Sequence, residues 1–129
     1  MYAPNLGDVL QVLNLAGVAS RTSNLDGSAI DLKDYDGEAV IVLDSSAATA
    51  GSSPTLDVKL QESADGSTGW TDVTGGAFTQ VTNAASKQKL SINTDECKRY
   101  IKAVGTLGGT STPTFIYGVT ALAAKQNPA

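Results

Sequence analysis

The clearest pattern of hydrophobic and polar positions lies near the middle of the chain, at residues 56–61. Three apolar residues alternate there with three polar ones: Leu56, Val58 and Leu60 against Asp57, Lys59 and Gln61. Successive side chains of a β-strand point to opposite sides of its sheet, so a repeat of two residues indicates one buried and one exposed side. This segment is therefore predicted to be a half-buried strand.

Further short apolar segments are separated by clusters of Gly, Asn, Asp, Ser and Pro, which form turns, at intervals of about ten residues. The segments that we predict as strands are 11–19, 29–32, 39–43, 56–61, 70–73, 77–82, 87–92, 99–104 and 115–122. Eight or nine short strands with such spacing are typical of a sandwich or barrel. The pattern predicts an all-β fold, an antiparallel β-sandwich that is jelly-roll-like.

Two of these segments are less regular than the others. Residues 39–43 are apolar on both sides, which predicts a strand buried between two layers. The segment from Asp8 to Ala19 fits both the spacing of an amphipathic helix and the alternation of a strand. Gly17 and the β-rich remainder of the chain favour a strand over residues 11–19.

The turn-forming clusters also predict the organisation of the chain. Residues 33–37 and 63–69 are expected to be turns, 44–54 a surface loop and 105–113 a turn-rich connection. No boundary divides the chain into two cores, so residues 9–124 are predicted to form a single β-sandwich domain. Residues 1–8 show little periodicity and are expected to form an N-terminal arm, and residues 125–129 a polar C-terminal tail.

The charge of the chain limits the choice of partner. The net charge is −4, which argues against nucleic acid, because its phosphates require a basic surface. Residues 1–66 hold ten of the thirteen acids, whereas five bases lie within residues 87–102. This asymmetry could produce two faces of opposite sign that dock on each other or on a partner. Two ordinary solvated faces are the preferred interpretation, because salt screens surface charges over about 10 Å.

The residues on which most enzymes depend are missing. The chain contains no histidine and a single cysteine, Cys97. Ser-His and Cys-His catalysis and histidine-ligated metals are therefore excluded, and one thiol can form neither an intramolecular disulfide nor a zinc site. Neither a phosphate-binding loop nor a dinucleotide-binding glycine motif after a strand is found. We predict a protein that is not an enzyme, that requires no cofactor and that carries an idle thiol.

An acidic cluster lies in and beside one predicted turn. Its members are Asp31, Asp34, Asp36 and Glu38. Carboxylate oxygens in such a turn could bind calcium, but the spacing does not match the Asp-x-Asp-x-Asp-Gly loop with its distant Glu. Acids that simply form the turn are the preferred interpretation.

The only tryptophan, Trp70, follows the flexible turn at residues 63–69. An exposed Trp could stack on a sugar ring or fill a pocket in a partner protein, with Tyr35, Tyr100 or Tyr117 extending the stacking surface. A Trp at the start of a strand is more often a core anchor, which is the preferred interpretation.

The location of the protein is constrained by its apolar runs. The longest, Ala39–Leu43 and Val119–Ala124, are far shorter than the roughly 20 residues of a membrane-spanning helix. Residues 1–8 lack the basic start and the unbroken apolar run of a signal peptide. We expect synthesis in the host cytoplasm and no membrane partner.

Four phrases of the sequence, covering roughly half of the chain, carry a resemblance. They are Leu-Asp-Val-Lys-Leu-Gln-Glu-Ser-Ala-Asp-Gly-Ser at 56–67, Trp-Thr-Asp-Val at 70–73, Ala-Phe-Thr-Gln-Val at 77–81 and Lys-Arg-Tyr-Ile-Lys-Ala at 98–103. This set resembles small virion proteins of tailed bacteriophages, among them the capsid cement or decoration proteins.

The resemblance implies a β-sandwich or jelly-roll protein on the capsid surface of the virion. Such a protein binds the major capsid protein, clamps neighbouring subunits and has no active site. The resemblance also favours a homo-oligomer, a dimer or trimer. Related phrases occur in other β-domains of phage heads and tails. The alternative function is therefore a carbohydrate- or receptor-binding module of a phage tail or fibre.

The candidate partner interface combines the arm with the tryptophan. Tyr2, Pro4 and Leu6 are large or apolar but have no evident place in the alternating core. An arm of this kind can reach an adjacent subunit, as exposed sheet edges also can. Together with Trp70, these three residues are predicted to contact a partner.

Overall fold

In the computed structural model, which describes residues 10–125, every regular element is a β-strand. The strands are β1 (Leu10–Arg21), β2 (Leu25–Asp26), β3 (Ile30–Asp31), β4 (Tyr35–Ser45), β5 (Ala50–Ser63), β6 (Thr71–Ala77), β7 (Ser86–Asn93) and β8 (Tyr100–Lys125). The predicted arm, residues 1–8, and the predicted tail beyond Lys125 lie outside the described residues. No helix within residues 10–125 could span a membrane.

Two antiparallel sheets share the long strand β8. Its first part pairs with β5 on one side and with β2 and β3 on the other, whereas its second part pairs with β4 and β1. We call the series β1–β8–β4–β7 sheet A and the series β2/β3–β8–β5–β6 sheet B. Both sheets contribute to one cluster of buried residues. The predicted all-β, antiparallel sandwich-type fold is confirmed.

A bend in β8 carries the chain from sheet B to sheet A. Gly109, Ser111 and Thr112 have positive φ angles of 110°, 59° and 57°. Ser111 and Thr112 thus adopt a left-handed conformation that residues with a side chain rarely take. Pairing with β5 continues through the bend to Thr114, opposite Ala50, and Phe115 then lies opposite Arg21 of β1. One continuous strand thereby serves both layers.

The turn-rich connection predicted for residues 105–113 is wrong. Residues 105–108 continue β8 and pair with β5. The small residues serve close packing, because a Cβ atom at Gly105 would collide with the hydroxyl of Tyr117. Glycine therefore marks a close approach of two layers here rather than a turn.

Two other predicted boundaries need correction. The surface loop expected at 44–54 is shorter, because β4 continues to Ser45 and β5 begins at Ala50. The strand expected at 77–82 is absent, because β6 runs on to Ala77 and the following residues are irregular. Val81 nevertheless forms a bridge with Leu56, each donating its backbone N–H to the carbonyl of the other at 2.9 Å.

The irregular pairing of β1 explains why its sequence fits both the spacing of a helix and the alternation of a strand. Its pairing with β8 has irregularities between Asn14 and Ala16 and between Ala16 and Ala19. An extra residue in a strand shifts the alternation of side chains, so the consecutive residues Leu15 and Ala16 are both buried. The predicted strand over 11–19 is confirmed, with these two bulges added.

The core follows the predicted alternation in the remaining strands. The largest fully buried side chains are Tyr117, Phe115, Leu15, Ile41, Leu43, Leu56, Leu60 and Ile101. Residues 39–43 depart from the prediction of a strand buried on both sides, because Val40 and Val42 are only half-buried. One side of sheet A therefore carries apolar residues that the described chain does not fully cover.

Candidate partner-binding surfaces

Trp70 lies just before β6 and outside the buried core. Its ring is half-buried, and the Lys102 Nζ atom lies 4.4 Å from the ring centroid. The same ammonium group forms an ion pair with Asp26 Oδ1 at 2.8 Å. The preferred interpretation of Trp70 as a core anchor is therefore wrong: the ring covers a charged group on the outside of sheet B.

The burial of Lys102 makes this stack a fixed feature of the surface. Its side chain is only 12% exposed, because the ring of Trp70 and strand neighbours surround it. A partly desolvated ammonium group over an aromatic ring gains about 1–2 kcal/mol. Trp70, Lys102 and Asp26 thus form one ordered unit.

The turn before Trp70 is held by the carboxylate of Asp65. It accepts hydrogen bonds from the backbone of Thr68 at 2.8 Å and of Ser67 at 2.9 Å, and from the Thr68 hydroxyl at 2.8 Å. These donors, with the Ser63 hydroxyl, hold the pKa of Asp65 well below its ordinary value. The predicted turn is confirmed, and it sets the approach of Trp70 to the sheet.

Tyr100 lies on the same outer side of sheet B, two residues before Lys102. Its ring packs on Gly66, where a Cβ atom would come within 3.0 Å of the ring. The Arg99 guanidinium lies 5.2 Å from the ring centroid and makes a bidentate pair with Asp31, at 3.0 Å and 2.9 Å. This pair lowers the pKa of Asp31 and raises that of Arg99.

We call this set of residues the aromatic face. It comprises Trp70, Tyr100, Arg99, Lys102, Asp26 and Asp31. A second network continues it across β5 and β6, where Asp72 accepts hydrogen bonds from Lys59 at 3.2 Å and Gln61 at 3.1 Å. The face thus combines two half-buried rings with paired charges and an amide.

The other tyrosines lie elsewhere. Tyr117 is fully buried in the core, and burial raises the pKa of its hydroxyl. Tyr35 is half-buried at the start of β4, where it packs against the core. Of the predicted stacking residues, only Trp70 and Tyr100 share a surface.

The acidic cluster is not assembled into a metal site. Both carboxylate oxygens of Asp31 accept hydrogen bonds from Arg99, and one also accepts from the Lys33 backbone at 3.0 Å. Among the residues that the structure describes, no three His, Cys, Asp or Glu side chains are placed to hold a metal ion.

The uneven charge along the chain is compensated between neighbouring strands. Three ion pairs join acids of the first half to bases of residues 87–102: Lys102–Asp26, Arg99–Asp31 and the longer Lys87–Asp44 at 3.9 Å. These pairs bring the two signs together on the same surfaces. These pairs favour the preferred interpretation of ordinary solvated surfaces over the alternative of two faces of opposite sign.

A polar cleft opens between β6 and β7, with a volume of about 610 Å³. Glu38, Glu62, Glu96 and Cys97 contribute to its lining. Desolvation, together with the charges of Glu62 and Glu96, raises the pKa of the Cys97 thiol. A thiol with a raised pKa is a poor nucleophile, which agrees with the prediction of an idle cysteine.

The outer side of sheet A was missed as a surface by the sequence analysis. Its members are Val12, Val18, Val40, Val42, Ile116 and Leu122, which we call the valine face. Val12 is 66% exposed, Val18 75% and Ile116 41%. The available signals are the apolar character of both sides of residues 39–43, which is interpreted above as burial between two layers, and the apolar Ile116 and Leu122 on the second side of residues 115–122.

Comparisons with known proteins support the fold. No family model and no curated protein sequence matches the chain. A solved structure of the infectious bursal disease virus Gx strain matches with a TM-score of 0.52 at 10% identity, over 92% of this chain and 32% of that chain. The VP2 subviral particle of the same virus gives a TM-score of 0.49 at 17% identity, over 90% of this chain and 32% of that chain.

A third solved structure, the SPBc2 prophage-derived protein YomS, gives a TM-score of 0.46 at 8% identity, over 87% of this chain and 92% of that chain. The chain spans about a third of the length of the two viral chains, at 32% of each. The likeness to the Gx-strain structure shows a shared all-β fold and nothing beyond it.

Proposed function

We propose that this protein is a non-catalytic structural component of a tailed-phage virion. It binds the outside of the capsid and stabilises contacts between neighbouring major capsid subunits. The observation that carries the proposal is the aromatic face, because Trp, Tyr and Arg are the residues most enriched at the energetic centres of protein interfaces. Trp70, Tyr100 and Arg99 lie together on one side of sheet B.

The side chains of the aromatic face are held in fixed positions, which favours binding. Arg99 is held by Asp31, Lys102 by Asp26, and Tyr100 by its contact with Gly66. Side chains that are fixed before binding lose little conformational entropy on association. The face can therefore dock on a partner without rearrangement.

The resemblance to phage virion proteins also favours the aromatic side of sheet B as the binding surface. The phrases at 56–67, 70–73 and 98–103 fall on or beside β5, β6 and β8, which are neighbours in sheet B. The residues that carry the resemblance thus surround the aromatic face. A protein that binds the assembled shell and not free subunits stabilises the shell by mass action.

The test is binding to shells assembled from the major capsid protein, measured by co-sedimentation. Trp70→Ala should weaken binding at least about tenfold, as truncation of a central aromatic residue does. The control is Thr82→Ala, which shortens an exposed side chain in the irregular segment after β6, away from the aromatic face. Absence of the chain from purified particles, or no binding of the wild type to shells, would refute the proposal. Equal binding by the wild type and the Trp70 variant would remove the aromatic face from the interface.

Stabilisation is measured separately, as the temperature at which shells with and without the protein release their DNA. The proposal requires the release temperature to rise with occupancy and to fall back with the Trp70 variant. Shells that bind the protein but open at an unchanged temperature would show attachment without a cement function.

A second function is favoured by one observation. Trp70 and Tyr100 share their face with the carboxylate of Asp72 and the amide of Gln61. Rings that stack on sugars beside groups that hydrogen-bond to hydroxyls would suit a carbohydrate- or receptor-binding module. A glycan array with Trp70→Ala as control separates the two: ring-dependent glycan binding without shell binding supports the module.

A further inference from the structure

The valine face is apolar, and nothing in the described chain covers it. Val12, Val18 and Ile116 are the exposed large hydrophobic residues of the described chain. Single exposed apolar residues are ordinary on protein surfaces, whereas a contiguous group of them marks an interaction site. The question is therefore whether the members of the valine face touch.

The register of sheet A brings members of the face together, with Asn14 and Thr120 between the first row and Val18. Val12 lies opposite Leu122, and Leu122 lies opposite Val40 on its other side. These three residues form an apolar row across three adjacent strands. Val18 reaches over Gly118, since its Cγ2 atom lies 2.7 Å from where a Cβ of residue 118 would be.

The β1 edge of sheet A is poorly suited to pairing with a further strand. The two bulges of β1, between Asn14 and Ala19, interrupt the regular ladder of backbone groups that another strand would need. Bulges at a sheet edge are a common protection against edge-to-edge pairing. A partner is therefore not expected to add a strand at the β1 edge.

We propose that the valine face is the interface with a second copy of this chain. The two copies stack their outer sheet A surfaces about a two-fold axis that crosses the strands. In such an isologous contact the same patch is used twice, so an apolar patch can pair with its own copy. The inference is independent of the proposed function and concerns the opposite sheet.

Charge selects this axis over the alternative one. The outward positions of β7 carry Lys87 and Lys89 at one end, and Glu38 of the adjacent β4 lies at the other end. An axis across the strands reverses their direction and brings the lysine end of one copy over the Glu38 end of the other. An axis along the strands would place the lysines over β1, which contains no acidic residue.

Lys89 is available for such a pair. It lies opposite Val42 in the register and forms no ion pair within residues 10–125. Lys87 has only the long contact with Asp44, at 3.9 Å. The complementary charges therefore lie at the margins of the valine face, as polar groups do at the rim of an interface.

The size of the face predicts a weak dimer. Its members lie on β1, β4 and β8. Three strands about 4.8 Å apart, each about eight residues long at about 3.3 Å per residue, cover roughly 400 Å² per copy. A standard stable interface buries about 800 Å² per partner. The association should therefore be reversible and dependent on concentration, and it should be strongest where many copies are held close together.

Sedimentation velocity of the full chain over a wide concentration range is the test. The wild type should pass from monomer to a discrete dimer. Val18→Lys should lower the association constant at least about tenfold, because it would bury an unpaired charge. Thr106→Lys, an exposed β-branched residue on sheet B, is the matched control and should leave association unchanged.

A second variant tests whether the loss of association in Val18→Lys comes from misfolding of that variant. Val12→Lys changes a different part of β1 and should have the same effect. Circular dichroism and the thermal midpoint must match the wild type before either variant is interpreted. A wild type that stays monomeric throughout, or equal association of Val18→Lys and Thr106→Lys, would overturn the proposal.

The orientation is tested by exchanging charges. Lys89→Glu and Glu38→Lys should each weaken the dimer severalfold, and the double variant should restore it. A double variant no stronger than the single ones would rule out the axis across the strands.

The outcome is distinguishable from that of the proposed function. Loss of shell binding in Trp70→Ala with an intact dimer supports both. A dimer in a protein that binds no shell leaves this inference standing and removes the proposed function. A monomer whose shell binding is lost in Val18→Lys would assign the valine face to a capsid subunit and overturn the second-copy proposal.

Discussion

At the scale of the residue, Tyr117 shows how tightly the two sheets meet. Its ring is fully buried, and its hydroxyl has no hydrogen-bond partner among residues 10–125. The Arg21 guanidinium lies 5.3 Å from the ring centroid, and Gly105 faces the hydroxyl without room for a Cβ atom. An unpaired buried hydroxyl costs stability, because it has given up its hydrogen bonds to water.

Removal of this hydroxyl should therefore stabilise the fold. Tyr117→Phe keeps the ring, and we expect the free energy of unfolding to rise by about 1 kcal/mol. Urea unfolding measures the change, with Tyr35→Phe at a half-buried position as the control. A loss of more than about 1 kcal/mol in the Tyr117 variant would contradict this account of the hydroxyl.

The turn at residues 63–69 depends on an ionised carboxylate. The hydrogen bonds to Asp65 depress its pKa in the folded state below the ordinary value of 3.8. Its stabilising effect is therefore fully present above that value and is lost as the pH falls through the lower folded pKa. The charge acts by organising backbone donors and not by pairing with a base.

The pH dependence of stability tests this role. We expect Asp65→Asn to lower the thermal midpoint at pH 7 and to reduce the loss of stability on acidification. Asp95→Asn, in the exposed turn after β7, is the control for removal of a surface carboxylate. Parallel profiles for the Asp65 variant and the wild type would show that this carboxylate contributes nothing to the acid sensitivity.

At the scale of the element, β8 is the strand on which both sheets depend. It bends where Gly109 has a φ of 110° and where a Cβ atom would come within 2.7 Å of the Ser53 carbonyl oxygen. Both the conformation and the lack of space require glycine there. Gly69, with a φ of 67°, has no atom within 4 Å of its Cβ position.

These two glycines should therefore respond differently to the same substitution. Gly69→Ala should cost about 1 kcal/mol, because only the positive φ is strained. Gly109→Ala should cost more than about 2 kcal/mol, since the methyl group also displaces the backbone of β5. Chemical denaturation of both variants gives the comparison, and equal losses would show that the bend can relax.

Elements with one covered side were predictable from alternation alone. Residues 56–61 and 115–122 carry a repeat of two over their whole length, and the structure confirms both strands. Residues 105–113 were not predictable, because Gly105 reports the closeness of Tyr117 and the bend at Gly109 lies within a continuous strand and not between two strands. The bulges in β1 likewise depend on its pairing with β8 and have no local signature.

At the scale of the whole molecule, the two outer surfaces differ in kind. Sheet B presents rings and paired charges, and sheet A presents exposed valines. A chain that used both would bind its partner through one side and its own copy through the other. Such a division would let many copies reinforce each other on a repeating shell.

The arm stays a prediction, because Tyr2, Pro4 and Leu6 lie outside the described residues. If the arm contacts a capsid subunit, deletion of residues 1–8 should weaken shell binding while leaving the thermal midpoint within about 2 °C of the full chain. Replacement of the same residues by a Gly/Ser segment of equal length controls for length. Unchanged shell binding in both variants would remove the arm from the interface.

The sequence by itself determined the class of fold and most of the core, because a repeat of two residues specifies a strand and its buried side wherever one side is covered. It also determined which catalytic chemistries are excluded, since a chain without histidine cannot perform them. Only the tertiary structure decided which side chains lie together on one surface. Trp70 and Tyr100 share a face, whereas Tyr117 is buried in the core. The apolar outer side of β4 stays uncovered. Each of these outcomes depends on contacts between residues that are far apart in the chain.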